Sequence, residues 1–150
     1  MPASEPTAER EIVSTRVFAA PREAVFGAFA DPVRLAQWWG PTGFTNTIHE
    51  FDLRPGGRWR FTMHGPDGAD FPNEKEFIEV VPAARIAFLH RQTGHDFQMT
   101  MEFSAHGAGT ELTWRMLFES AAEFARVRGF IAVANEQNLD RLAAHLAAST

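Results

Sequence analysis

The sequence predicts an α+β domain: one N-terminal strand, two short helices, a meander of six strands and a long C-terminal helix around which the sheet curls. Three observations carry this. Apolar residues recur at every second position through much of the stretch from Phe44 to Phe118, and at every third or fourth position from Phe124 to Leu146. Turn signals built on Pro and Gly break the alternating stretch at short intervals. A sheet with one apolar face needs a cover, and the last helix is the only element large enough to supply it.

The elements follow in order. Glu11–Phe18 reads as a strand, with Ile12, Val13, Val17 and Phe18 apolar. Pro21 then opens a helix at its first turn, where a missing N–H costs nothing, and Val25, Phe26 and Phe29 form the apolar face. Asp31-Pro32 is a second start signal, an N-cap followed by Pro, for a short helix that carries Leu35, Trp38 and Trp39 and stops at Gly40-Pro41. Six strands are expected near 44–53, 57–64, 73–81, 84–91, 96–104 and 109–118. Between them lie Arg54-Pro55-Gly56-Gly57, Pro66-Asp67-Gly68, Pro82, Gly94 and His106-Gly107-Ala108-Gly109.

The last hairpin sets a register. A four-residue turn over 105–108 puts Phe103 opposite Thr110, Met101 opposite Leu112, Met99 opposite Trp114 and Phe97 opposite Met116, with the large apolar residues on one face. The hairpin at Arg54–Gly57 does not resolve this way, because Phe51 then meets Arg60; a bulge at Gly56-Gly57 is one way to restore the face. Ser120 and Glu123 form a capping box that starts the final helix. Its inward stripe is Phe124, Val127, Ile131, Asn135, Asn138, Leu142 and Leu146, over about 40 Å of axis. Gly129 inside it marks a bend, a close approach or a late start of the main helix.

Composition bounds the function. With 150 residues the expectation is one domain over 1–150, with an ordered core of about 11–148 and a flexible 1–9. A net charge of −5 argues against sequence-independent binding to nucleic acid. The absence of Cys removes disulfides, thiol nucleophiles and zinc–thiolate sites. No apolar stretch is long enough to span a bilayer, and the polar N-terminus lacks a signal-peptide core, so a cytoplasmic location is expected. Thirteen Arg stand against one Lys, Lys75, and fourteen Phe and four Trp against no Tyr. Rings without a hydroxyl suit a large dry interior.

The residues in sequence carry a resemblance. Ala20-Pro21, then Asp31-Pro32-x-x-Leu35-x-x-Trp38-Trp39-Gly40-Pro41, then Asp52-Leu53-Arg54-Pro55-Gly56-Gly57-Arg58-Trp59, then Glu79-Val80-Val81-Pro82, and finally Asn138-Leu139-Asp140-Arg141-Leu142 span almost the whole chain, from about Glu11 to Ala148. The chain resembles the bacterial homologues of the activator of the 90-kDa heat-shock protein ATPase. These are members of the START-like superfamily, also called the helix-grip or birch-pollen-allergen fold. The resemblance implies a curved seven-stranded antiparallel sheet wrapped around the C-terminal helix, with a cavity between them. Related proteins bind lipids, hormones or polyketides there, and some cyclise or dehydrate polyketides. The eukaryotic co-chaperone makes much of its chaperone contact through a further N-terminal domain, for which this chain has no room.

The leading expectation is a binder of a small apolar or amphipathic molecule. The ligand-binding set is Trp59, Phe61, Met63, Phe88, His90, Phe97, Met99, Met101, Trp114, Met116, Ile131, Asn135 and Asn138. The competing reading is that these residues simply fill the core. Asn135 and Asn138 either meet polar groups of the ligand or are satisfied by the protein or water. His90 and His49 are the candidate acid–base residues of a second, enzymatic reading, a cyclase or dehydratase, with Glu76 or Glu102 beside His90. Trp38-Trp39, as a pocket lip or partner contact, carries a third reading, a chaperone-type interaction module; packing of the small helices onto the sheet is the alternative. No metal site is expected, since no His pair has the i, i+4 spacing of a helical zinc motif, and no cofactor motif is present. Arg54, Arg58 and Arg60 read as a solvated face paired with Asp52 or Glu50, and His95-Asp96 as a solvated turn pair.

Overall fold

A computed structural model describes residues 9–91 and 96–148. The expected flexible segment 1–9 lies almost wholly outside them, as do Gly94 and His95. The elements are β1 (Glu11–Phe18), α1 (Arg22–Ala30), α2 (Pro32–Trp38), β2 (Thr45–Phe51), β3 (Arg58–His64), β4 (Asp70–Val81), β5 (Arg85–His90), β6 (Phe97–His106), β7 (Gly109–Phe118) and α3 (Ala121–Ala148). All seven strands join one antiparallel sheet in the order β1-β7-β6-β5-β4-β3-β2. The helix-grip arrangement is therefore present.

Local chemistry explains the boundaries. Pro21 caps α1 from just outside the helix and accepts from the Ala24 amide, one position earlier than the sequence suggests. Asp31 caps α2 with its side chain accepting from the Val33 amide at 3.0 Å, and Pro32 occupies the first turn. Ser120 Oγ accepts from the Glu123 amide at 3.2 Å at the start of α3. An added Cβ on Gly129 would meet nothing within 4 Å, so no close backbone approach explains it.

Two registers differ from expectation. β6 and β7 are joined by a two-residue turn, Gly107-Ala108, and pair two positions further along: Phe103 with Leu112, Met101 with Trp114, Met99 with Met116 and Phe97 with Phe118. Gly107 takes φ +60°, the geometry a tight hairpin asks of its first central residue. A slip of two leaves every side chain on its face, which is why alternation could not detect it. In the β2–β3 hairpin the face is restored by a bulge at His49, between Ile48 and Glu50, and Phe51 meets Trp59. The Gly56-Gly57 segment is instead tied to β4: the Gly56 amide donates to Phe77 O and the Phe77 amide to Gly57 O. A second bulge, at Ile78 between Phe77 and Glu79, accompanies the bend of β4.

The core lies between the inner sheet face, α1–α2 and the C-terminal half of α3. From α3 it takes Asn135, Asn138, Leu139, Leu142 and Leu146, with Phe124 the buried residue of the first turns. Val127 and Ile131 are only half-buried, as are Met63 and Phe97 on the strands. The grip is tight at the end where α1 and α2 sit and looser at the other.

Candidate functional site

Cross-strand pairing lines up one lateral row on the inner face: Phe51, Trp59, Lys75, His90, Phe97 and Phe118, each opposite the next. Five are aromatic and one is the chain's single lysine. Lys75 faces inward because β4 alternates strictly before its bulge: Asn73, Lys75 and Phe77 point in, while Glu74 and Glu76 pair outward with Arg58 and Arg91. Its side chain is 4% exposed. Nζ lies 5.1–5.8 Å from the ring centres of Phe88, Phe61, Phe97 and Trp59. It is 3.0 Å from His90 Nδ1 and 3.5 Å from Asn73 Oδ1.

Among the described residues no carboxylate pairs with Lys75, and His90 is the one titratable group that touches it. Burial without a counter-ion pushes the pKa of Lys75 down from 10.5 to about 7. Near neutral pH a substantial fraction of the amine is therefore a neutral base. The His90 ring stacks on Phe97 at 4.8 Å, and when Lys75 donates to Nδ1 the imidazole carries its proton on Nε2.

The amine sits beside a way out. Lys75 is the first residue of β4 to pair with β5, opposite His90 at the end of β5; residues 70–74 before it pair only with β3. A cleft of about 380 Å³ opens at that step. Its wall is mostly outward-facing, with His49, Arg60, Thr62, Glu74 and Arg91; Phe61, Asn73 and His90, neighbours of the amine, complete it, and Lys75 itself is not part of it.

The expected ligand-binding residues divide into two groups. The strand residues do take the inner face: Trp59, Phe61, Phe88, His90, Met99, Met101, Trp114 and Met116 are buried and Met63 and Phe97 half-buried, as is Ile131 on α3. At the α2 end, however, Trp39 fills the space, stacked on Trp114 at 5.4 Å and edge-on to Trp59 at 4.9 Å. The gap left there, walled by Trp59, Phe88, Met101 and their neighbours, is about 10 Å³, the size of one water and apolar throughout. The indole N–H groups of Trp59 and Trp114 have no acceptor in that region.

Several readings are corrected. Asn138 is a structural clasp: Nδ2 donates to Trp38 O at 3.0 Å and Oδ1 accepts from the Gly40 amide at 3.2 Å. Arg141 completes it with bonds to the carbonyls of Gln37, Trp39, Gly40 and Pro41. The Trp-Trp-Gly-Pro and Asn-x-x-Arg motifs thus hold each other. Asn135 differs, with a single 3.4 Å contact from Nδ2 to Met116 Sδ. His49 does not face the interior; the bulge leaves it exposed, 2.9 Å from Thr62 Oγ1. Glu76 and Glu102 cannot serve His90, since each follows an inward residue and pairs outward, with Arg91 and Arg85. Trp38 and Trp39 are buried, so they offer no partner surface. The basic strip is paired as expected for Arg54 with Asp52 and Arg60 with Glu50, while Arg58 meets Glu74.

Among the described residues no three metal-ligating side chains converge, and no helix is long and apolar enough to cross a membrane. The family model described as Activator of Hsp90 ATPase homolog 1-like protein matches residues 19–147. Similar solved structures include a Chromobacterium violaceum protein at 28% identity, covering 91% of this chain and 96% of that one with a TM-score of 0.81. A Mycobacterium smegmatis protein is 27% identical, with 97% and 96% covered and a TM-score of 0.84. A Nitrosomonas europaea protein shares the fold at 21% identity, 97% and 99% coverage and a TM-score of 0.87. No curated protein matches the chain.

Proposed function

The chain belongs to the family of Activator of Hsp90 ATPase homolog 1-like proteins, and from that premise we propose that it binds a small, largely apolar molecule whose polar end meets Lys75 and His90. The observation that carries this reading is the lysine itself. A lysine buried among four rings, with no carboxylate beside it among the described residues, costs several kcal/mol of folding stability, and an apolar residue of the same size would remove that cost. A buried, pKa-shifted amine of this kind marks a candidate ligand site. The apolar body of the ligand has Phe61, Phe97, Met63 and Ile131 to lie against, the last three half-buried where the grip is loose. Asn135, whose one contact among the described residues is to a sulfur, supplies a further amide on the inner face. The packed end under Trp39 has no room for it.

The other readings have less support. A cyclase or dehydratase built on His90 lacks the carboxylates the sequence offered it. A chaperone contact rests on the family's description alone once Trp38 and Trp39 are found buried.

The test is a thermal-shift panel of fatty acids, sterol-like rings, flavonoids and aromatic polyketides, run on the intact chain and on Phe97→Arg. A ligand at 100 times its dissociation constant stabilises by about 2.7 kcal/mol, or roughly 5–10 °C here. A selective shift that Phe97→Arg abolishes supports the reading; a flat panel overturns it.

A further inference from the structure

We propose that Lys75 is a nucleophile that forms a reversible imine with an apolar aldehyde or ketone entering beside His90. The proposal deepens the binding reading and rests on it, because it assigns the chemistry of the ligand's polar end. Four observations converge. The amine is within hydrogen-bonding distance of an imidazole that can move a proton, at 3.0 Å. It is walled by rings, which exclude water and favour dehydration of a carbonyl adduct. No carboxylate among the described residues holds it as an ammonium ion, so it has a lone pair to offer. Three of its neighbours, Phe61, Asn73 and His90, also reach the wall of a cleft that opens on the outer face of the sheet where β5 ends, so the way in to the amine lies past His90 at that step.

The step balances without a redox partner. The Nζ lone pair attacks the carbonyl carbon, the C–N bond forms and the C=O π pair moves to oxygen. One proton passes from Nζ through His90 to that oxygen, giving a carbinolamine. A second proton, delivered through His90, lets that oxygen leave as water while the nitrogen lone pair closes C=N, and the iminium then gives its N–H proton back to His90. Amine plus carbonyl gives imine plus water, and hydrolysis runs the same path backwards.

The composition makes the test clean, since Lys75 is the chain's one side-chain amine and the α-amino group is the other reactive site. The intact chain is incubated with trans-cinnamaldehyde and sodium cyanoborohydride, which reduces the imine to a stable secondary amine, and the adduct is placed by peptide mass mapping. The expected result is one adduct on Lys75, formed at least tenfold faster than with glyoxylate, a polar aldehyde. Its rate levels off near neutral pH, whereas an ordinary lysine, neutral in about one molecule in a thousand at pH 7.5, keeps accelerating toward pH 10. His90→Phe slows it about tenfold. Labelling confined to the α-amino group, or equal rates with both aldehydes, overturns the proposal.

Cinnamyl alcohol, which cannot form an imine, separates the two readings. A thermal shift with the alcohol and no adduct on Lys75 removes the imine and leaves the binding site. Neither a shift nor an adduct removes both. These readouts come from the unmutated chain, so they hold even if Lys75→Met or His90→Phe folds poorly.

Discussion

Lys75 and His90 meet twice, once as register partners across β4 and β5 and once through the 3.0 Å contact between Nζ and Nδ1. Because Lys75 is buried and pairs with no carboxylate among the described residues, its cost must appear in the pH dependence of folding. The pKa of Lys75 is about 7 in the folded chain and 10.5 when solvated. Between these values the unfolded chain holds a proton that the folded chain has released, so stability rises with pH across the window. The full shift corresponds to on the order of 4–5 kcal/mol. Lys75→Met removes the penalty. It is expected to stabilise the protein most below pH 7, with the advantage fading toward pH 10. Urea unfolding of both proteins at pH 6, 7.5 and 9 measures this, and parallel curves would contradict the buried-amine account.

Asn135 and Asn138 looked equivalent in the sequence, two amides on one helical stripe, and the structure separates them. Asn138→Ala leaves the Gly40 N–H and the Trp38 carbonyl unpaired in a buried setting and should cost about 2–4 kcal/mol. Asn135→Ala forfeits one weak contact to sulfur and should cost less than half as much. Denaturant midpoints give the stability difference. In the ligand panel Asn135→Ala should also weaken the shift, while Asn138→Ala, assayed well below its melting temperature, keeps it. Equal destabilisation by the two changes would mean that the clasp is not what makes Asn138 matter.

What the sequence made legible was periodicity. The alternation in β6 and β7 placed Met99, Met101, Trp114 and Met116 on the inner face correctly even though the register was two residues off, since parity survives an even shift. What it hid were the features that break periodicity. The bulge at His49 turned a candidate inward histidine to solvent. Lys75 passed as a compositional oddity because Glu74 and Glu76 flank it and a charged run reads as a solvated strand. The signal that could have found it was parity with Phe77, two residues on. The Asn138–Arg141 clasp was equally invisible, because it joins side chains to backbone carbonyls about 100 positions away.

The two adjacent glycines at the β2–β3 turn make a paired test of backbone geometry. Gly56 takes φ +84° with open space where a Cβ would go, so Gly56→Ala should cost about 1–2 kcal/mol from the left-handed conformation alone. Gly57 has no such φ, but its added Cβ would lie 2.0 Å from Asp52 O, a backbone atom that cannot move without opening the loop. Gly57→Ala is therefore expected to be the more damaging of the two, by 1 kcal/mol or more as an order of magnitude. Thermal melts of the two variants decide it; the reverse order would mean that the loop relaxes more easily than its bonds to Phe77 suggest.

Gly129 offers the opposite case. It lies exposed inside α3, and an added Cβ meets nothing within 4 Å. Neither packing nor backbone strain asks for glycine there, so its helix-interior penalty of about 1 kcal/mol relative to Ala should be recoverable. Gly129→Ala is expected to raise the melting temperature by roughly 2–4 °C for a chain of this length. The ligand panel gives the variant a second reading. Gly129 lies between Val127 and Ile131, in the part of α3 that grips the sheet loosely. If that looseness admits the ligand, stiffening the helix should slow association while leaving the unliganded protein more stable. Stopped-flow binding with a hit from the panel separates the two effects: a higher melting temperature with an unchanged association rate would show that entry does not depend on α3 bending at Gly129.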